Sequence, residues 1–181
     1  MEKLELLRNH IQNKDFPPSF EGDFHSYPPP VFGSHFYYYT SPIEKGFPLC
    51  FNCYSYALQL DIDLNTSKYF ILGYIANRKL EKYNKVRVID SFLKDCEKLN
   101  ISACETNIEA ENLIDTYKIA IFIKPELLNN FHVIRQNIDG TWSHKPGWYR
   151  NPERIELDND AFNREEWELA TVMKLSKKLT N

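Results

Sequence analysis

The stretch Asn137-Ile138-Asp139-Gly140-Thr141 restricts the folding of this chain more than any other. An Asp-Gly pair between runs of alternating polar and apolar residues marks a β-hairpin. Glycine enters the left-handed backbone region that a tight turn needs, and aspartate bonds the backbone close to it. Within FHVIRQNIDGTWSHKPGW, Phe131 to Trp148, a three-residue loop of Ile138, Asp139 and Gly140 sets Asn137 opposite Thr141. Ile134 then faces His144, and His132 faces Pro146. Side chains alternate along a strand, so His132, Ile134, Gln136, Trp142 and His144 share one face, with the two imidazoles as diagonal neighbours. A two-residue Asp-Gly loop would instead send the rings to opposite faces.

The rest of the chain supplies partners for this hairpin. MEKLELLRNHIQNKDF reads as a short amphipathic helix, and the Pro- and Gly-rich stretch after it as a long aromatic loop lying over the body of the protein. CFNCYSYALQL predicts a second helix, and residues 67–100 a mostly helical segment interrupted near Gly73. YKIAIFIKP predicts a buried strand ended by Pro125, and WELATVMKL a final strand; between them and the hairpin the tail carries turn chemistry in WYRNPERIELDNDAF. Helices first and strands later favour an α+β fold, with helices packed on an antiparallel sheet. The 181 residues read as one domain. Residues 1–46 form the N-terminal helix and aromatic loop, and 47–181 the core, with a helical insert around 67–100.

A formal charge of −3, with lysines spread among acids, gives no electrostatic footprint for nucleic acid. No apolar run is long enough to span a membrane, and the N-terminus lacks the apolar centre of a signal peptide. The expectation is a soluble chain, cytoplasmic or exported by a signal-independent route. Four cysteines (Cys50, Cys53, Cys96, Cys104) are too few to staple a chain of this length, so reduced thiols are expected, with Cys50, Cys96 and Cys104 as buried apolar residues.

Cys53 is the candidate nucleophile. It follows a Pro- and Gly-containing loop and enters the first turn of the helix suggested by YSYALQL, where unpaired N–H groups and the helix dipole lower a thiol pKa and can receive an oxyanion. Asn52 is placed to cap that helix or to bind substrate oxygen. Cys50 and Cys53 also form a C-x-x-C, the spacing of zinc and dithiol redox sites, for which His25 or His35 could complete a ligand set. Cys96 and Cys104 have the wrong spacing for a second ligand pair, and no βαβ unit frames a redox motif, so no metal and no cofactor are expected.

With Cys53 and His132 identified, the chain resembles the papain-like cysteine hydrolases, and within them the NlpC/P60 superfamily. NCYSYAL matches the nucleophile helix, Phe131-His132 the start of the catalytic strand, and His144 in TWSHKPG the position of the orienting residue. The same two blocks resemble a group of small bacterial and phage proteins. The resemblance covers roughly Phe47 to Leu60 and Ile119 to Gly147. It implies a papain-like fold with a catalytic hairpin and acyl transfer through a thioester on a peptide, protein or cell-wall peptide. In that chemistry His132 holds the Cys53 thiolate as an ion pair and protonates the leaving group. His144, or failing it Asp139 or Asn137, orients His132. The Cys53 N–H supplies half of the oxyanion hole. Trp142 and Tyr37, Tyr38 and Tyr39 are candidates to wall the cleft, although aromatic residues of this kind more commonly fill cores. The competing class is a non-enzymatic protein-binding module of the same fold.

Overall fold

The computed structural model describes residues 2–20, 52–60, 71–78, 80, 84–124, 131–145, 152–157 and 167–178. Helix α1 (Glu2–Gln12) buries Leu7 and Ile11, one turn apart on one stripe. Helix α2 (Cys53–Ala57) is followed, after a gap in the described residues, by turns over 71–77 and by helix α3 (Lys85–Lys98). Six strands come next: β1 (Ile101–Thr106), β2 (Thr116–Ile123), β3 (Phe131–Gln136), β4 (Trp142–His144), β5 (Glu153–Ile155) and β6 (Glu168–Lys177). They form one antiparallel sheet in the order β1-β6-β2-β3-β4-β5. The architecture is α+β, as the order of sequence patterns implies.

Strand β2 lies inside the sheet, between β6 and β3, and all eight of its residues are buried. Its side chains divide by parity. Tyr117, Ile119, Ile121 and Ile123 join Val133, Met173 and Leu175 beneath the helices, against Leu7, Ile11, Tyr54, Phe92 and Cys96. Ala120 and Phe122 face the other way and form a smaller cluster with Ile134, Trp142 and Val172. Helix α3 is capped by the Asn84 side chain, which accepts from Arg87 N at 3.0 Å, and it sets Val88, Phe92 and Cys96 into the larger core at four-residue intervals.

The structure departs from the sequence reading in four places. Within residues 67–100, the interruption expected near Gly73 is longer than expected and takes in the stretch 71–77, because Gly73 and Asn77 both take positive φ (85° and 56°), which breaks helical hydrogen bonding. Strands β1 and β5 fall where no strand was expected. ISACET lies on an edge and alternates imperfectly, and the three residues of β5 are too few to show a period. Cys104 is exposed on β1, not buried, because that edge strand is half open to solvent; Cys96 is buried as expected. Finally, α2 is shorter than CFNCYSYALQL suggests. Gln59 at φ 56° turns the chain, and Leu60 N donates back to Ser55 O at 2.8 Å, a Schellman stop without glycine.

Candidate active site

The hairpin has the three-residue loop. Ile134 pairs with His144, Arg135 with Ser143 and Gln136 with Trp142. Asn137 N donates to Thr141 O at 2.8 Å, Gly140 N donates to Asn137 O at 3.0 Å, and Gly140 sits at φ 80°. Asp139 Oδ1 accepts from Thr141 N and Oγ, which locks the turn. The two-residue alternative is thereby excluded, and both rings project from one face. His132 Nε2 lies 2.6 Å from His144 Nδ1, with ring centroids 4.8 Å apart at 87°. Strand β5 adds a third member: Glu153 pairs with His144 across the ladder, and its Oε1 lies 3.1 Å from His144 Nε2. Burial, then the positive charge a protonated His144 would carry, push the His132 pKa down to about 3 against a smaller opposing pull from Glu153. His132 is therefore neutral at neutral pH.

Cys53 is the first residue of α2, and five residues cannot hold a helix unaided. Tertiary contacts hold this one. Asn52 Oδ1 accepts from Ser55 N at 2.9 Å; Tyr54 OH donates to Asp95 Oδ2 at 2.7 Å; Tyr117 OH donates to Ala57 O at 2.9 Å. Arg135 Nη1 donates to Tyr56 O at 3.0 Å while its guanidinium stacks on the Tyr56 ring at 3.8 Å, which puts a cation at the negative end of the helix. Tyr56 OH shares a hydrogen bond with Ser143 Oγ at 2.8 Å, tying the helix to the strand that carries His144.

The Cys53 sulfur therefore sits at the open end of the hairpin on the α2 side, the pleat of Val133, Arg135, Ser143 and Lys145, whereas the His132 and His144 rings lie on the opposite pleat with Ile134 and Trp142. It is reached by the backbone N–H of Val133, the residue after His132, and by the charge of buried Lys145, the residue after His144. The N–H groups of Tyr54 and of Cys53 itself also point to it. Desolvation nevertheless outweighs all of these and raises the thiol pKa from 9.0 to about 11. This corrects the expectation of a thiolate activated by the helix N-terminus: a dipole of one helical turn cannot offset removal of the sulfur from water. At rest the structure holds a neutral thiol and a neutral imidazole, not an ion pair.

The remaining candidates are distributed as follows. Asn52 uses Oδ1 to cap α2. Asn137 accepts from Ser143 Oγ and donates to Thr141 Oγ, and Asp139 is engaged by Thr141 and Arg154, so the bond to His132 Nε2 comes from His144. Trp142 is buried in the smaller core, on the same face as the histidines. Cys50, His25, His35, Tyr37, Tyr38 and Tyr39 lie outside the described residues. Among the described residues no cluster of His, Cys, Asp and Glu is arranged to hold a metal ion, and no helix is long and apolar enough to cross a membrane.

Sequence reasoning missed Glu153, Lys145 and the Tyr56–Ser143–Asn137 chain. Lys145 and Ser143 could have been found from the hairpin register, which places them on the pleat facing α2. Glu153 had no local signal. Comparison with family models, curated proteins and solved structures finds no match.

Proposed function

We propose that the protein is a papain-like thiol hydrolase or acyltransferase acting on the amide bond of a peptide, protein or cell-wall peptide. Cys53 is the nucleophile, His132 the acid–base and His144 its orienting partner. The observation that carries this reading is the 2.6 Å contact between His132 and His144, on the hairpin whose open end receives the thiol of a helix-initiating cysteine. The Val133 N–H on that sulfur supports it, as does the capped and buttressed α2.

With both groups neutral, the thiol proton moves to His132 as sulfur attacks the carbonyl carbon, giving a tetrahedral oxyanion near the N–H groups at the start of α2. His132 then returns the proton to the departing amine, and the C–N bond breaks to leave a thioester. Water, or an acceptor amine, attacks that thioester with His132 again as base, which restores the thiol. The transfer requires the thiol and the ring to meet around the start of β3, because alternation sets His132 on the pleat opposite Val133 and Arg135, the residues that face α2.

The test is a panel of peptide, isopeptide, D-amino-acid and acyl substrates with intact-mass detection of an acyl-enzyme. Turnover and an adduct that disappear in Cys53→Ala and persist in Cys50→Ser support the reading. Turnover retained in Cys53→Ala, or an experimental Cys53–His132 separation beyond about 8 Å, defeats it. Burial of Cys53, at 7% exposure for the residue, favours the second reading, a non-enzymatic binding module of this fold. That module would show no adduct with any substrate and no loss of partner binding in Cys53→Ala.

A further inference from the structure

Between two neutral rings the contact of His132 with His144 has two possible proton arrangements, and the residue on the far side of His144 selects between them. An ionised carboxylate only accepts hydrogen bonds. With Glu153 Oε1 at 3.1 Å, His144 Nε2 carries a hydrogen; the opposite arrangement would set a nitrogen lone pair against a carboxylate oxygen. Neutral His144 then has its lone pair on Nδ1, which at 2.6 Å accepts from His132 Nε2–H. The lone pair of His132 is left on Nδ1. Reversing the chain would put the hydrogen of His132 on Nδ1 and remove the base.

We propose that Glu153 is a positioning residue that fixes the tautomers of both histidines, and so the nitrogen through which His132 takes and returns a proton. The inference rests on the reading of His132 as acid–base for its catalytic half, and on the hydrogen-bond geometry alone for its tautomeric half. The β4–β5 ladder holds Glu153 in place, since it is the cross-strand partner of His144. Its negative charge also counters the effect of His144 on His132. Its side chain is 45% exposed against 14% for His144, so replacing it should leave the fold intact while changing the hydrogen-bond polarity.

The experiment is long-range 1H–15N correlation of the histidine rings in the full chain at neutral pH, for wild type, Glu153→Ala and Glu153→Lys, with thermal unfolding as the control for folding. The wild type should show Nε2–H on both His132 and His144. Glu153→Ala should show mixed tautomers, and the donor-only Glu153→Lys should shift both rings toward Nδ1–H. A wild-type His132 protonated on Nδ1, or tautomers unchanged in both folded variants, overturns the proposal. With any substrate the wild type turns over, kcat should fall roughly tenfold in Glu153→Ala and about a hundredfold or more in Glu153→Lys, with KM little changed. Altered tautomers with wild-type kcat would overturn the catalytic half. Nε2–H tautomers in a wild type that turns over nothing would support the wiring and count against the hydrolase reading alone.

Discussion

The ionisation of Cys53 gives the sharpest test of the resting state of this candidate site. A helix N-terminus stabilises an anion by up to about 2 kcal/mol in a partly buried geometry, roughly one and a half pKa units, and a helix of five residues offers less than that. Desolvation of a buried group can move a pKa by 3 units or more, roughly, so it decides the sign. A shift from 9.0 to about 11 leaves roughly a hundredfold less thiolate at pH 8 than an unperturbed thiol would have. Alkylation by iodoacetamide, followed for each cysteine by quenching and peptide mass analysis, should therefore climb about tenfold per pH unit for Cys53 from pH 7 to 10, without a plateau. Steric protection lowers the whole curve but does not change its shape. His132→Ala should leave the profile unchanged, because a neutral imidazole holds no ion pair with the thiolate. A reactive plateau below pH 7 that disappears in His132→Ala would refute this reasoning and establish a resting thiolate–imidazolium pair.

His132 should make the fold acid-sensitive. Its folded pKa of about 3 lies below the ordinary 6.5, so the unfolded chain binds the proton first; the associated stability is present above pH 6.5 and is lost as pH falls toward 3. The full loss is on the order of 3–5 kcal/mol, and urea titrations of His132→Gln across this range should show a shallower decline than wild type. Asp95→Ala should destabilise the protein by about 3–5 kcal/mol, read from the urea midpoint, because Tyr54 OH, Gly73 N and Ala76 N, each 2.7 Å from the carboxylate, all lose their acceptor in the interior. Asp95→Ala within about 1 kcal/mol of wild type would show that water replaces the carboxylate. Two glycines with similar φ should separate by thermal unfolding. Gly140→Ala meets only backbone strain, about 1 kcal/mol, whereas the Cβ of Gly73→Ala would also lie 2.8 Å from Arg78 O and should cost clearly more.

The hairpin was legible in the sequence because its information is local. The Asn137-to-Thr141 turn sets its own register through the left-handed conformation of Gly140 and the Asp139 hydrogen bonds, and a period of two then assigns every side chain to a face. Strand β2 and helix α1 announced themselves for the same reason, through apolar pattern alone. The protonation of Cys53 could not be read this way. A helix start is visible in NCYSYAL, but the desolvation that overrides it comes from packing against β3 and the core beneath it, brought together by contacts such as Tyr54 with Asp95, 41 residues away. Glu153 was hidden similarly, since three residues carry no periodicity and only the β4–β5 pairing brings it to His144. Sequence by itself determined which groups share the histidine face of the hairpin, because alternation is a property of the extended backbone. Only tertiary structure decided their charge states and proton positions, because those depend on distance to neighbours and exclusion of water, neither of which is local along the chain.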